Sequence, residues 1–180
     1  MFIQIINLIL SVVVGIVAGA CLLRCYMQWF GSQLGAEQRK LIGVYLFPLT
    51  NWIVIPLRRV IPSIGLLDTA SLLAAYLLVF GKAAILSFLL VGSINVFSLL
   101  TTLFDLIDLT LSGLIGLVFV YVILSWLSAG SQTQYIVSLL IGPLLGPIQR
   151  MIPKLGALDL SPLILLLVLQ ILQIVINSFK

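Results

Sequence analysis

Ile61-Pro62-Ser63-Ile64-Gly65-Leu66-Leu67-Asp68 returns as Ile152-Pro153-Lys154-Leu155-Gly156-Ala157-Leu158-Asp159, at a constant shift of 91 residues. The same shift pairs Pro56 with Pro147 and Arg59 with Arg150, and Trp29 meets Trp126 once about six extra residues are allowed in the first copy. Self-similarity at a fixed period marks a duplicated architecture and has to be read before any motif. The chain therefore divides into two copies of one unit, residues 1–95 and 96–180. Each elbow is flanked by long apolar runs, and those runs decide what the unit is.

Residues 1–23 carry no charge, and a helix of that length reaches about 34 Å against a bilayer core of about 30 Å. A second apolar run, about 66–91, contains Lys82 as its only charge; a third, about 105–127, is opened by Asp105 and Asp108; a fourth, about 160–178, is followed by Lys180. The spacing predicts an all-α integral membrane protein. Its four transmembrane helices form two parallel repeats, each span, amphipathic or interfacial helix, span. A break at Gly81-Lys82 gives a five-span alternative, with a very short second span and the basic connections on opposite faces. Ala18-Gly19-Ala20 resembles a signal-peptide cleavage site, but no Lys or Arg precedes Arg24. Signal peptides open on a basic region, so residues 1–23 read as a permanent span.

Composition agrees. Of the 180 residues 62% are hydrophobic and 8% charged, with a mean hydropathy of +1.32, whereas a soluble domain carries about 25% charged residues. With nine Lys/Arg against five Asp/Glu, the net charge of +4 acts as a topology signal rather than a nucleic-acid footprint. Glu37, Arg39, Lys40, Arg58 and Arg59 lie between the first two runs, and Arg150 and Lys154 between the last two. Short loops rich in Lys/Arg stay cytoplasmic, which places both termini outside. The intervening segments, 36–60 and 133–149, are apolar but interrupted by Pro48, Pro56, Pro143 and Pro147. Broken runs of that length suit the headgroup region, with Tyr45 and Trp52 at the interface and Arg58, Arg59 and Arg150 toward phosphates.

Arg24-Cys25-Tyr26-Met27-Gln28-Trp29, Pro56-Leu57-Arg58-Arg59, Ile61-Pro62, Gly65 and Asp68-Thr69-Ala70-Ser71-Leu72 resemble the first half of the YggT family. Ser125-Trp126, Gly142-Pro143-Leu144-Leu145-Gly146-Pro147, Arg150, Ile152-Pro153 and Asp159-Leu160-Ser161-Pro162 resemble its second half. The chain departs from the pattern in two places: Trp52 stands where the second copy has Pro143, and Gln149 replaces the first Arg of the expected pair. The resemblance implies a small membrane protein of bacteria or plastids without an agreed molecular activity. Plastid relatives are linked to maturation of photosynthetic membrane complexes, including heme attachment to a b-type cytochrome. Bacterial relatives are linked to osmotic tolerance, cell division and envelope organisation.

The candidate residues fall into three groups. Asp68 and Asp159 each precede a span, where an Asp accepts a backbone N–H and meets the positive end of the helix dipole. Arg59 and Arg150, nine residues earlier, are placed to pair with them, and with Arg58 they form a cap or a patch for a partner or lipid. Lys82, Asp105 and Asp108 form an outer-leaflet polar cluster, the two acids at cap and first-turn positions of the third span and open to pairing with Lys82. The sharper reading of this cluster is a proton or ion relay. Gln4, Asn7 and Ser11 on the first span and Gln170, Gln173 and Asn177 on the last repeat one 3,4-spaced stripe. These faces are expected to meet each other or a partner through amide hydrogen bonds. Gly15-Ile16-Val17-Ala18-Gly19 is a G-x-x-x-G motif that permits close helix approach within the chain or between copies.

With no His, no nucleophile–base pair and no phosphate loop, the sequence points away from an enzyme and from a bound metal or cofactor. Cys21 and Cys25 share one helix face and read as packed thiols. The expected function is that of a non-catalytic inner-membrane interaction or assembly factor for other membrane protein complexes. Its partners are the lipid bilayer and another membrane complex or a second copy of itself, with no nucleic acid. The alternative is a channel, transporter or osmotic-stress component.

Overall fold

A computed structural model of the protein describes residues 2–29, 36–61, 67–92, 97–127, 130–151 and 160–179. They form six helices: α1 (Phe2–Trp29), α2 (Ala36–Val60), α3 (Thr69–Val91), α4 (Phe97–Leu127), α5 (Gln132–Met151) and α6 (Ser161–Ser178). No strand-ladder element stands among the described residues. Four of the helices, α1, α3, α4 and α6, are long and apolar enough to cross a membrane. In hydrocarbon every backbone polar group must be satisfied within the segment, and a helix does this without help from neighbours. The chain is a multi-pass α-helical membrane protein built as two repeats of span, connecting helix and span.

The ends of the spans follow from local chemistry. Asp68 caps α3 by accepting the Ser71 N–H, and Gly92, at φ +74°, ends it in a left-handed turn whose N–H donates to the Phe88 carbonyl. A residue with a Cβ resists that conformation, so glycine makes the stop. Pro162 sits in the first turn of α6, where its missing N–H is no loss. At the start of α5 the Ser131 hydroxyl accepts the Gln134 N–H at 3.1 Å.

Three expectations are corrected. α3 runs unbroken through Gly81 and Lys82, so the five-span alternative is excluded; alanines and leucines on either side carry the helix across one glycine. α4 begins at Phe97, so Asp105 and Asp108 lie inside a helix rather than at its cap. Phe97 to Phe104 extend the helix upstream of both acids. Pro48 and Pro56 in α2, and Pro143 and Pro147 in α5, do not break their helices. Each proline forfeits one backbone bond and costs about 3 kcal/mol in a helix interior. Leu46, Thr50 and Val54 in α2 and Val137, Ile141 and Leu145 in α5 are buried stripes that hold both segments helical.

The contacts divide the chain into two compact units, one ending at Thr110 and one beginning at Leu111, inside α4. In the first unit α1 and α3 approach most extensively, along a seam of Ala18, Cys21, Ala70, Ala74 and Ala75. Small residues let backbones come close where lipid supplies no hydrophobic drive. In the second unit Leu111 and Val118 of α4, Val137, Ile141 and Leu145 of α5, and Leu165 and Leu169 of α6 form the core.

The two cores are copies. Under the shift of 91, Leu46, Thr50, Val54, Ala70 and Ala74 fall on Val137, Ile141, Leu145, Ser161 and Leu165, and every one of the ten is buried. Under the shift of 97 that aligns Trp29 with Trp126, Cys21 falls on Val118, both fully buried. Burial geometry is kept while side-chain chemistry is not.

Candidate functional site

The chain's most polar interior lies where α1, α2 and the start of α3 converge in the first unit. The Asp68 side chain is fully buried. Its Oδ2 accepts from Arg58 Nη2 at 2.6 Å and from the Ser71 hydroxyl at 2.7 Å, while Oδ1 accepts the Ser71 N–H at 3.3 Å. Arg24 Nε stands 3.6 Å from the same Oδ2. Arg24 Nη1 donates to Thr50 Oγ1 at 3.0 Å and to Asn51 Oδ1 at 2.8 Å. The guanidinium also lies 4.9 Å from the centroid of the Phe47 ring, a cation–π distance. Thr50 Oγ1, having accepted from Arg24, donates to the Leu46 carbonyl at 2.9 Å.

Arg24 therefore ties the last turns of α1 to the middle of α2 and to the cap of α3. Its side chain is 12% exposed and that of Arg58 is 41% exposed. Two guanidiniums face one carboxylate, leaving one positive charge in excess at the more exposed of the two. Burial alone would push the Asp68 carboxyl up; the Ser71 hydroxyl, the Arg58 guanidinium and the Ser71 amide outweigh it and hold the group below its ordinary range.

The partner of Asp68 at the end of α2 is thus Arg58, not Arg59. Arg59 and Arg150 are exposed in the last turns of α2 and α5, because the Arg58 side chain is the one turned toward the α3 cap. Asp159 lies outside the described residues. Lys82 is half-buried in α3, and Asp105 and Asp108 are half-buried in α4. The salt bridges of Arg24 and Arg58 both end on Asp68.

Gly15 and Gly19 do not form the helix seam. A Cβ built on either meets no atom within 4 Å among the described residues, because the alanines of α1 and α3 make the close approach instead. Of the amide stripes, Gln4 and Asn7 are exposed, with Ser11 donating to Asn7 Oδ1 at 3.3 Å. Gln170 and Asn177 are also exposed. Gln173 reaches across to α4 within the second unit and donates from Nε2 to Ser112 Oγ at 2.9 Å. Cys21 and Cys25 are buried free thiols on the inward face of α1.

Arg24, Phe47, Thr50, Asn51 and Ser71 went unremarked as site residues, although a signal existed. Arg24 is the lone charge of the first helix and follows Ala18 and Cys21 at three-residue steps, on the inward face. An ionisable residue at that depth needs a buried partner. Thr50-Asn51 is the polar break in an otherwise apolar segment.

In the second copy the side chains at the equivalent positions differ. Tyr121, Ile141, Gly142, Gln149 and Pro162 stand at the positions of Arg24, Thr50, Asn51, Arg58 and Ser71.

Comparison with known proteins gives a consistent picture. The sequence profile of the CCB3/YggT family matches residues 3–89 and again residues 100–179. The chain is 36% identical over 171 residues to an uncharacterized protein YggT of Escherichia coli K12, covering 92% of this chain and 85% of that protein. An uncharacterized protein of Vibrio alginolyticus is 37% identical over 130 residues, 70% of either chain. One of Haemophilus influenzae is 30% identical over 138 residues, 73% of this chain and 71% of that one. No solved structure matches the chain significantly.

Proposed function

The chain belongs to the CCB3/YggT family, and from that premise we propose that it is a non-catalytic protein of the bacterial inner membrane, both termini outside, that binds other membrane proteins and aids their assembly or placement. The observation that carries this reading is the disposition of charge in the first unit. Asp68 is saturated by Arg58, Ser71 and Arg24, so the cluster locks three helices and keeps no carboxylate in reserve for turnover. What it presents outward is cationic: the half-exposed Arg58 and, beside it, exposed Arg59. Next to them α2 displays an apolar aromatic face of Tyr45, Leu49, Trp52 and Ile55. A helix end with a basic rim and an aromatic flank is suited to an acidic juxtamembrane segment seated at the headgroup level.

Crosslinking in native membranes followed by mild-detergent purification tests it. The expected result is a stoichiometric partner that is lost on Arg59→Glu, a change outside the ion cluster. Recovery of the protein as a partnerless monomer overturns the proposal.

A second reading rests on Asp105 and Asp108. Acids half-buried inside a spanning helix are expensive and mark ion or proton paths. Proteoliposome flux abolished by Asp105→Asn or Lys82→Ala would favour a channel or transporter; no flux above empty liposomes removes it.

A further inference from the structure

The two copies treat one junction in opposite ways. In the first unit the angle between α1 and α2 is filled: the Phe47 ring lies under the Arg24 guanidinium and directly over Gly43, where an added Cβ would come within 2.6 Å of the ring. The registers that superimpose the two cores place Tyr121 at the position of Arg24, Ser138 at that of Phe47 and Gln134 at that of Gly43. In the second unit, at this place, there is an open cleft of about 590 Å³ lined by Tyr121, Ser131, Gln132, Gln134, Tyr135 and Ser138. Replacing a phenylalanine by a serine took away the ring that closes the first copy. The space that results is within the range of small-molecule sites, about 300–1,000 Å³.

The lining limits what can enter. Among the described residues it contains no ionised side chain, so neither a phosphate nor an ammonium group finds a countercharge there. At the start of α5 Ser131 Oγ accepts the Gln134 N–H and Gln134 Oε1 accepts the Gly130 N–H. Ser138 donates its hydroxyl proton to the Tyr135 carbonyl at 2.7 Å, which leaves its oxygen facing the cleft as an acceptor. The Gln134 amide nitrogen, the Tyr135 hydroxyl and the Gln132 amide add donors and acceptors in mixed order, beside two aromatic rings. Hydroxyls and amides that both give and take hydrogen bonds, next to ring faces, match a polyol and not an ion. The cleft is built from the last turns of α4 and the beginning of α5.

We propose that this cleft binds an uncharged polyhydroxy group, a sugar or glycerol, presented either as the headgroup of a membrane lipid or as a free solute. The site is a property of the second repeat alone and stands whether or not the chain has protein partners. The test uses the full chain purified in an amine-oxide detergent and placed in phosphatidylcholine nanodiscs. Three probes are titrated while binding is followed by calorimetry: glucosyl diacylglycerol, free glucose, and phosphatidylglycerol as an ionised headgroup.

The expected result is saturable binding of the glucolipid, weakened at least tenfold by the double variant Gln134→Gly/Ser138→Phe, which rebuilds the first copy's ring over a glycine, and by Tyr135→Ala, which takes a ring from the wall. Tyr135 is 53% exposed, so that second variant keeps the core intact. Binding of free glucose with equal affinity assigns the site to a solute; a preference for the glucolipid assigns it to a membrane lipid. No saturable binding of either sugar, binding unaffected by both variants, or tighter binding of ionised phosphatidylglycerol overturns the proposal.

Discussion

Asp68→Asn separates the roles folded into one side chain. Asparagine keeps an oxygen that can accept the Ser71 N–H, so the α3 cap, typically about 1 kcal/mol, survives. What disappears is the charge. Arg24, 12% exposed, is left in a desolvated position, and removal of one member of a buried pair costs about 3–5 kcal/mol. Arg58, 41% exposed, turns to water instead, and its share is screened to about 0–1 kcal/mol. Arg24 retains Thr50, Asn51 and the Phe47 ring, which places the expected loss near the lower end, about 3 kcal/mol. Asp68→Ala loses the cap as well, about 1 kcal/mol more. At about 2–4 °C per kcal/mol for a chain of this size, the first substitution lowers the melting temperature by about 6–12 °C. Thermal unfolding in micelles measures it, and double-mutant cycles with Arg24→Gln and Arg58→Gln divide it. A loss below about 1 kcal/mol for Asp68→Asn, or a coupling to Arg58 larger than that to Arg24, would refute the assignment of Arg24 as the buried partner.

The remaining predictions follow from the same geometry. Because the folded carboxyl of Asp68 is held below its ordinary value, its contribution to stability is complete above the unfolded value of about 3.9 and is lost as pH falls through the folded one. The stability gap between the native protein and Asp68→Asn should therefore close on acidification below about pH 4 and stay constant from there to neutrality; unfolding scans over that range decide it. Gly92→Ala forces a left-handed conformation on alanine at φ +74° and should cost about 1–2 kcal/mol, read as a lower melting temperature. Gly15→Leu and Gly19→Leu should leave the monomer's stability within about 0.5 kcal/mol, since a Cβ at either position meets no atom within 4 Å among the described residues. A change of oligomeric state in those variants, measured by light scattering, would assign the face to contacts between copies. Gln173→Leu breaks an interhelical bond to Ser112 and should cost about 0.6 kcal/mol, up to about 1.7.

The spans were legible because membrane insertion depends on length and hydropathy, which survive in a one-dimensional reading. α3 and α6 come within a few residues of their apolar runs. At α4 the acids suggest a helix start, whereas the helix begins at Phe97, eight residues before Asp105. α2 and α5 stand where the sequence places its connecting helices, because a buried stripe in each outweighs the local penalty of its prolines. The site was half legible. Asp68 as a cap follows from its place before a span. Its guanidinium partners do not, because the choice between Arg58 and Arg59 is an angle about the α2 axis, and Arg24 arrives from 44 residues upstream. Tertiary pairing of that kind leaves only an indirect trace, a lone charge on an inward helical face.

The duplication turns the first unit's cluster into an argument about function. A buried ion pair is seldom worth more to a fold than well-packed apolar side chains of the same volume. At the equivalent positions of the second unit Val118, Ile141 and Leu145 belong to the buried core, and the sequence repeats none of Arg24, Arg58, Thr50 and Ser71. The first unit carries them beside an exposed basic rim, and the second carries an uncharged cleft where the aromatic filling is absent. The copies share a scaffold and differ in what they offer to a neighbour, a cationic elbow in one and a hydroxyl-lined cleft in the other.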